Sequence, residues 1–416
     1  MITSLVAKQA KGKKLKDVYF ATAAQARADA AVLGKDHVLN GTVGAMLDEN
    51  GDLVFLSTVE KEYLSLPSVE HIGYAPIEGL PEFLEAAEEA CFSQSRPEGH
   101  IRSIATAGGT GGIHHLVHNY TQPGDEVLTS DWYWGAYGCI CTDNGRKLGT
   151  YTLFDDNNNF NHQSLQEEVN RIAEKQENVL ILFNTPGNNP TGYSIEGVDW
   201  DKIIDFLKGI IVKGKNKVII GVDVAYLDYS GEKEEIRSVF KKFGNLPKEI
   251  LTVICYSLSK GFTMYGQRVG AMIGISSELE VAEEFRDVNK STSRATWSNI
   301  CRPAMRTMAN IMNDKEKFTA YEAERNTYNI LIQERANIFK EEAAACGLPM
   351  LPYRGGFFIT IPTEGSAEIC EELKKDHVYV IPLAKGIRIA ACSIPKAQMK
   401  GLAKAMYTVM KHLGRL

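Results

Sequence analysis

The chain has 416 residues, two to three times the length of an average domain, which is enough for a large core and at least one further unit. Its formal net charge of −6 provides no basic field for a nucleic-acid backbone or an anionic membrane. The first twenty residues lack the apolar core of a signal peptide, and no apolar run reaches the ~18 residues of a membrane span. We therefore expect a cytoplasmic globular protein with no nucleic-acid partner and no membrane partner.

Eight cysteines are spread along the chain without a C-x-x-C pair or a dense framework. This distribution predicts reduced, mostly buried thiols. Cys139 and Cys141 are close in sequence, and we place them in an extended segment, where two alternate residues do not build a tetrahedral metal site. We expect no metal centre.

Between about residues 80 and 275, short and nearly all-apolar runs alternate with amphipathic stretches. This pattern is typical of a mostly parallel sheet that is covered by helices on both faces. The five runs that we predict as strands are 101–107, 126–129, 179–183, 218–222 and 250–256.

A smaller α+β unit follows a long amphipathic helix predicted at about 313–345. Its elements are a strand at 355–361, a helix near 367–375, strands near 378–381 and 387–391, and a terminal helix over about 395–413. The predicted fold is therefore α/β with a second, smaller domain. We assign 1–49 to an N-terminal segment that packs on the small domain, 50–320 to the large domain and 321–416 to the small domain.

Each apolar run of the large domain stops at polar or small residues. Ligands of an open α/β sheet bind outside the carboxyl ends of its strands, so these tails should converge on one crevice. The tails are Gly108-Gly109-Thr110, Ser130-Asp131-Trp132, Asn184-Thr185, Asp223 and Ser257-Leu258-Ser259-Lys260. Their convergence predicts an enzyme.

The first tail is rich in glycine. Glycines at a strand-to-helix turn let backbone N–H groups approach a phosphate, and Thr110 adds a hydroxyl donor. The run matches neither a Walker A loop nor a G-x-G-x-x-G fingerprint, and an ordinary tight turn is the alternative.

Two ionisable residues end buried runs. Asp223 would suit a cationic partner such as a protonated pyridine nitrogen, although a helix N-cap is the alternative. Lys260 would lose its proton readily if it were desolvated, as Schiff-base chemistry requires, whereas an isolated lysine is more often a surface charge. Nearby hydroxyls and Arg268 offer a second set of phosphate donors.

The motifs Asn189-Pro190-Thr191-Gly192, Asp223-x-Ala225-Tyr226, Ser257-x-Ser259-Lys260 and Arg268-Val269-Gly270 occur in an order that resembles fold-type I, class I aminotransferases. The chain is similar to the aspartate and aromatic amino acid branch from about residue 40 to 388. This resemblance implies pyridoxal 5′-phosphate as cofactor and ping-pong amino transfer between an L-amino acid, aspartate/glutamate or aromatic, and a 2-oxo acid. It also implies a homodimer with shared active sites.

The resemblance assigns roles around the cofactor ring. Lys260 matches the lysine that binds the cofactor covalently and then moves the substrate proton, and Asp223 matches the partner of the ring nitrogen. Tyr226 and Asn189 match the donors to the ring oxygen. Trp134 matches the aromatic residue stacked on the ring, although Trp132 lies two residues away, and a buried core tryptophan is the alternative.

The resemblance also assigns a phosphate site. The residues that match the phosphate donors are Gly109, Thr110, Ser257 and Arg268. Tyr74 matches the tyrosine that reaches the phosphate of the neighbouring subunit.

Asn189 and Trp134 also match groups that contact the substrate, and three further residues do so as well. Arg388 matches the arginine that forks onto the α-carboxylate, although an arginine in an alternating strand usually faces solvent. Gly44 matches the glycine that closes over the substrate. Arg294 resembles the arginine that crosses the dimer interface to a side-chain carboxylate, and a surface salt bridge is the alternative.

Other sequence features leave alternatives open. The aromatic stretch Trp132, Tyr133, Trp134 and Tyr137 would favour aromatic substrates, whereas Arg294 would favour acidic ones. The histidines at 114, 115 and 118 have helical spacing suited to a metal pair, and partly buried helix residues behind the phosphate loop are the alternative. A lyase or decarboxylase of the same fold, or a non-catalytic protein that binds the cofactor, are the alternative functions.

Overall fold

The computed structural model describes residues 5–14, 18–214 and 216–416, so parts of the predicted N-terminal segment lie outside the described residues. Its strands are β1 Leu39–Asn40, β2 His100–Thr106, β3 Glu126–Ser130, β4 Lys147–Tyr151, β5 Asn178–Asn184, β6 Lys217–Asp223, β7 Ile250–Ser257, β8 Gly270–Ser276, β9 Phe358–Pro362, β10 Val378–Tyr379, β11 Ile381–Leu383 and β12 Gly386–Ala390.

The helices alternate with these strands over most of the chain. They are α1 Val18–Leu33, α2 Ser57–Ser65, α3 Ser68–Ile72, α4 Pro81–Phe92, α5 Gly108–Tyr120, α6 Ala136–Asp143, α7 His162–Ala173, α8 Gly197–Val212, α9 Lys233–Arg237, α10 Leu258–Gly261, α11 Leu279–Thr296, α12 Arg302–Met312, α13 Lys315–Cys346, α14 Ser366–Lys374, α15 Lys396–Met399 and α16 Leu402–His412.

The large sheet of the described chain has seven strands in the order β2-β8-β7-β6-β5-β3-β4. Strand β8 is antiparallel to both of its neighbours, and the other pairs are parallel. Each of the five runs predicted as strands coincides with a strand of this sheet. The mostly parallel α/β architecture is therefore confirmed.

Apolar side chains of the central strands pack on both faces of the sheet. Along β5, Ile181 belongs to one core cluster, whereas Leu180 and Leu182 belong to another. Successive side chains of a strand point to opposite faces, so a strand buried on both sides needs an unbroken apolar run. This requirement explains why β5, β6 and β7 could be predicted from sequence.

Two strands of the same sheet, β4 and β8, and one helix, α6, differ from what the sequence predicts. β4 is a half-exposed edge strand, and β8 carries Gly274, where an added Cβ would lie 2.7 Å from the ring of Phe285, so neither has a continuous bulky apolar run. The extended segment predicted around Cys139 and Cys141 is wrong, because both residues lie in α6. The buried residues of α6, at positions 137, 140 and 141, have helical spacing.

The small unit is built on the antiparallel sheet β11-β12-β9, and its core includes residues of α13, α14 and α16. The long helix is confirmed as α13, which ends at Gly347 in the left-handed conformation with φ 76°. The single terminal helix is wrong, because Gly401, with φ 87°, separates α15 from α16.

The N-terminal region contacts the small unit through β1, which pairs in parallel with β10, and through α1, which contacts β1, β10 and β11. The helix α13 runs continuously across residue 320. The domain boundaries at 49 and 320 stay predictions. Across the described part of the chain, no helix has the combined length and apolarity that a membrane crossing requires.

Candidate active site

The strand register places a buried carboxylate at the carboxyl end of the central strand of the large sheet. Asp223 ends β6 and lies opposite Asn184 of β5 and Cys255 of β7. Its Oδ2 accepts a 2.7 Å hydrogen bond from the Tyr137 hydroxyl, and its Oδ1 accepts a 3.1 Å bond from the Ala225 amide. No α-helix starts at this position among the described residues, so Asp223 is not the helix N-cap that the alternative proposed.

Burial dominates the electrostatics of Asp223. Desolvation raises the pKa of its carboxyl above the ordinary value, while the hydrogen bonds from Tyr137 and Ala225 act in the opposite direction. Within the described residues, no lysine or arginine forms an ion pair with this carboxylate. The charge of the ionised Asp223 carboxylate is therefore uncompensated, and a cationic ligand could compensate it.

Lys260 lies in the short helix α10 directly after β7. Its Nζ donates a 2.5 Å hydrogen bond to the Gly44 carbonyl and lies 4.8 Å from the centre of the Tyr265 ring and 5.9 Å from that of Tyr226. Burial lowers the pKa of the Lys260 amine to about 8, and the nearby Arg268 also lowers it. A sizeable fraction of the amine is therefore neutral close to physiological pH, as a nucleophile or a base requires.

A chain of hydrogen bonds connects Tyr226 with Arg388. The Asn189 Nδ2 donates to the Tyr226 hydroxyl at 3.4 Å, and Arg388 Nη1 donates to the Asn189 Oδ1 at 3.3 Å. Arg388 Nη2 donates to the Thr42 carbonyl at 2.9 Å. Tyr226 also lies close to both Asp223 and Lys260, so these predicted residues surround one crevice.

Arg388 is buried, with 5% of its surface exposed, which rules out the solvent-facing alternative. Two aromatic rings lie close to its guanidinium carbon, with the ring centre of Phe358 at 4.2 Å and that of Tyr19 at 4.5 Å. Its Nε is buried without a hydrogen-bond partner. A buried, unpartnered guanidinium donor is costly, so the geometry suits an anionic ligand at this edge.

The glycine-rich turn, Ser257 and Arg268 meet at the start of α5. A Cβ added to Gly109 would lie 3.7 Å from the Ser257 Cβ, and one added to Gly108 would lie 2.8 Å from Arg268 Nη2. The half-buried Thr110 follows in the first turn of the helix. Backbone N–H groups, a hydroxyl and a guanidinium are thus brought together, which is the donor set that a phosphate requires.

The two candidate tryptophans lie in different surroundings. Trp134 is half-buried and makes an edge contact of 5.7 Å with Tyr137, the residue that donates to Asp223. Trp132 lies in the main core, and its carbonyl accepts hydrogen bonds from Ser130 and Asn188. The geometry favours Trp134 as the residue beside the site.

Two predicted residues lie at the surface of the chain. Tyr74 is 88% exposed, and the exposed Arg294 donates a 2.6 Å hydrogen bond to Ser298 near the end of its own helix. Both predicted roles involve a neighbouring subunit and stay predictions.

Stacking and hydrogen bonds account for the three histidines. His115 is fully buried, its ring stacks on Trp297 at 4.4 Å, and burial lowers its pKa to about 3. His114 stacks on His118 at 5.9 Å. In the part of the chain that the structure describes, no group of three or more His, Cys, Asp or Glu residues is arranged to hold a metal ion.

Several residues that shape the site carry no recognisable signal in the sequence. Tyr137 belongs to the aromatic stretch 132–137, and its bond to Asp223 joins α6 to β6, 86 residues apart. Tyr265 accepts a hydrogen bond from the distant Met46 amide, and Phe358 and the Thr42 carbonyl contact Arg388 from other elements. No periodicity or spacing signals such contacts, because they depend on the tertiary arrangement.

The chain is similar to known proteins over most of its length. The model of the family described as aminotransferase class I and II matches residues 36–406. An aminotransferase structure from Anaerococcus prevotii is 34% identical, covers 98% of this chain and 99% of its own, and superposes with a TM-score of 0.96. A tyrosine aminotransferase from Klebsiella pneumoniae is 24% identical over 89% of this chain and 93% of its own length. An aspartate aminotransferase from Pseudomonas aeruginosa is also 24% identical, over 89% of this chain and 92% of its own length.

The chain therefore belongs to the class I and II aminotransferases and is a pyridoxal-phosphate-dependent enzyme. The described residues fit this cofactor on three independent grounds. Asp223 is a buried carboxylate without an ion pair, Lys260 has a lowered pKa, and the start of α5 gathers phosphate donors.

The first prediction concerns the desolvated carboxylate. We expect Asp223→Asn to raise the free energy of unfolding of the cofactor-free protein by about 0.5–2 kcal/mol at neutral pH, because an amide carries no charge to desolvate, while cofactor affinity and turnover fall. A carboxyl with a raised pKa destabilises the folded state only when it is ionised. The gain should therefore disappear as the pH falls toward the ordinary value of 3.8.

Denaturant titration of the cofactor-free proteins measures this difference. Asp205→Asn is the control, because Asp205 is an exposed residue of α8 and should change stability little. A less stable Asp223→Asn protein that still binds the cofactor with full affinity would contradict the assigned role of the carboxylate.

Proposed function

We propose that this enzyme transfers an amino group between an L-amino acid and a 2-oxo acid by a ping-pong mechanism, with Lys260 as the catalytic amine. The observation that carries the proposal is the placement of a lysine with a lowered pKa and a buried, unpaired aspartate around Tyr226. Desolvation favours the neutral form of the amine, and a neutral amine can both form a covalent bond and accept a proton.

In this proposal, residues from separate elements hold pyridoxal phosphate. Gly109, Thr110, Ser257 and Arg268 bind the phosphate, Asp223 pairs with the ring nitrogen, Tyr226 and Asn189 donate to the ring oxygen, and Trp134 stacks on the ring. When bound, the cofactor supplies an electron-accepting ring that delocalises the charge left by loss of the substrate α-proton. The contribution of the protein is orientation and electrostatics.

Arg388 orients the substrate by binding its α-carboxylate. The guanidinium offers the unpartnered Nε and the second N–H of Nη1 and of Nη2, whose other N–H groups donate to Asn189 and Thr42. The rings of Tyr19 and Phe358 lie close to the same guanidinium and narrow the approach to it. The Lys260 Nζ then takes the α-proton, and Gly44 provides a carbonyl acceptor for the protonated amine.

The proposed donors are aspartate or glutamate and aromatic amino acids, in line with the tyrosine and aspartate aminotransferases to which the chain is similar. An acidic side chain would be bound by Arg294, supplied by the partner subunit. The exposed guanidinium of Arg294 has a single hydroxyl as its hydrogen-bond partner in the described part of the chain. That arrangement leaves most of its donors available.

We further propose a cytoplasmic homodimer with shared active sites. Exposed apolar side chains accumulate between residues 53 and 74, among them Phe55, Leu64, Ile72 and Tyr74. Beside them, a cleft of about 400 Å³ is lined by residues 53–64 and 262–267, next to Lys260 and Arg268. A second copy would cover this surface and bring Tyr74 to the neighbouring phosphate site. All eight cysteines are free, which suits a reducing compartment.

The second prediction follows from the lowered lysine pKa. The rate at which the cofactor-free protein binds pyridoxal phosphate covalently should rise with pH and reach half its maximum near pH 8, because only the neutral amine reacts. Absorption spectroscopy follows the reaction. Lys260→Ala should lose both the bound-cofactor band and amino transfer, whereas Lys242→Ala, at an ion pair with Asp201, should behave as wild type.

A turnover measurement distinguishes transfer from the alternatives. With an amino acid alone, the wild-type enzyme should release one oxo acid per site and continue only when a second oxo acid is added. Repeated turnover without an acceptor would indicate a lyase instead. Cofactor binding without exchange of the α-proton would indicate a non-catalytic protein.

The third prediction concerns specificity. Arg294→Ala should lower kcat/KM for aspartate and glutamate by about 10- to 100-fold and change that for phenylalanine little, because the lost charge-assisted bonds concern only acidic side chains. Arg286→Ala is the control, since Arg286 is in the same helix and pairs with Glu283 and Asp287. Equal losses for acidic and aromatic donors would remove the proposed role of Arg294.

The fourth prediction tests the shared site. When Lys260→Ala subunits are refolded together with Tyr74→Ala subunits, each mixed dimer should contain one site with a native lysine and a native tyrosine. About a quarter of wild-type activity should return, since half of random dimers are mixed and each has one native site. Mixed dimers no more active than the two parents would place Tyr74 in the same site as the lysine of its own chain.

A further inference from the structure

A fully buried arginine outside the proposed catalytic groups binds the main chain of a segment that contacts Lys260 and Arg388. Arg335, in the middle of α13, has no exposed surface. Its Nη1 donates to the carbonyls of Leu47 and Cys392 at 3.0 and 2.8 Å, and its Nη2 donates to the carbonyl of Asp48 at 3.0 Å. Nε and Nη2 also contact the Glu49 carboxylate at 3.0 and 2.6 Å.

This set of partners exceeds what charge neutralisation requires. Glu49 alone would compensate the charge, but its side chain is 41% exposed and the arginine has no exposed surface. Desolvating a guanidinium is costly, and the three bonds to backbone carbonyls indicate a role in holding the main chain. The chain that is held is residues 42–49, which we call the strap.

The strap supplies main-chain groups to two residues of the proposed mechanism. The Thr42 carbonyl accepts from Arg388 Nη2 at 2.9 Å, and the Gly44 carbonyl accepts from Lys260 Nζ at 2.5 Å. The Met46 amide donates to the Tyr265 hydroxyl at 2.9 Å. The strap therefore runs from the carboxylate-binding arginine to the catalytic amine.

Cys392 also contacts the strap. Its Sγ lies 3.6 Å from the Val43 carbonyl and 3.5 Å from the Ala45 carbonyl, the two residues that flank Gly44. Its carbonyl accepts from both the Leu47 amide and Arg335. Burial raises the pKa of the Cys392 thiol to about 12, so the thiol stays protonated and can donate.

From this geometry we propose that Arg335 is a positioning residue, which fixes the strap so that the Gly44 carbonyl faces Lys260 and the Thr42 carbonyl faces Arg388. The proposal rests on the proposed function for the roles of those two residues. Helix α13 contributes Tyr321 to the large core and Phe339 to the small core. Arg335 therefore lies on a helix that packs into both cores.

The test replaces the guanidinium of Arg335, which donates to several acceptors, with the single ammonium of lysine. In Arg335→Lys, the Gly44 carbonyl is held less firmly, so the protonated Lys260 loses part of its acceptor. In the cofactor-free protein, the rate at which a small amine-reactive reagent modifies Lys260 should reach half its maximum at a lower pH than in wild type, by about 0.5–1 pH unit. Peptide mass spectrometry measures this midpoint without any catalytic turnover.

The groups that face the amine are otherwise unchanged in this variant. They are Tyr226, Tyr265, Arg268, Arg388 and Cys392. In the active enzyme, loosening Thr42 should raise KM for every amino donor by about tenfold, because the Arg388 guanidinium loses one of its two fixed partners.

Leu373→Ala is the matched control, because Leu373 is a buried small-core residue and its truncation costs stability without contact with the strap. An Arg335→Lys protein that loses stability but keeps the midpoint and KM of Leu373→Ala would reduce Arg335 to a structural role and overturn the proposal. If Arg335→Lys does not fold, Glu49→Ala keeps the guanidinium and removes one anchor. A smaller shift in the same direction would support the proposal, and an unchanged midpoint would overturn it.

The two proposals fail in different ways. If the wild-type enzyme shows no Lys260-dependent amino transfer, the proposed function is wrong, although the midpoint of the cofactor-free protein still reports on the strap. If transfer depends on Lys260 and the Arg335→Lys midpoint does not move, only the proposal for Arg335 is wrong.

Discussion

The arrangement of the site depends on the burial of the Asp223 carboxylate at the end of the central strand. Parallel pairing of β5, β6 and β7 places Asn184, Asp223 and Cys255 side by side, so the carboxylate lies away from the rim of the sheet. Tyr137 and the Ala225 amide satisfy it only in part. A folded chain with this feature carries an electrostatic cost that a cationic ring nitrogen can offset.

The same loss of solvent acts on groups of opposite charge. Burial raises the pKa of the Asp223 carboxyl and lowers that of the Lys260 amine to about 8, so the charged forms of both groups are disfavoured. Burial also lowers the pKa of the Arg388 guanidinium, although arginine stays protonated. The crevice is thus electrostatically prepared for ligands that bring a cation to one side and a carboxylate to the other.

Much of this could be predicted from sequence, because buried parallel strands leave continuous apolar runs, and the polar residues after them mark the crevice. Asp223 ends β6 and Lys260 directly follows β7, as these runs predict, and Arg388 lies in the strand β12 of the small unit. The roles of Tyr137 and Arg335 could not be predicted. Each is set by the distance between two elements that are far apart in the sequence, and neither residue type nor spacing encodes that distance.

The aromatic contacts of Arg388 have a practical consequence for handling this protein. One of the two rings is that of Tyr19, in the first turn of α1. An amino-terminal fusion that disturbs this turn would move a ring that contacts the proposed carboxylate-binding group. A purification handle belongs at the opposite terminus, after α16, which packs against α13 and α14.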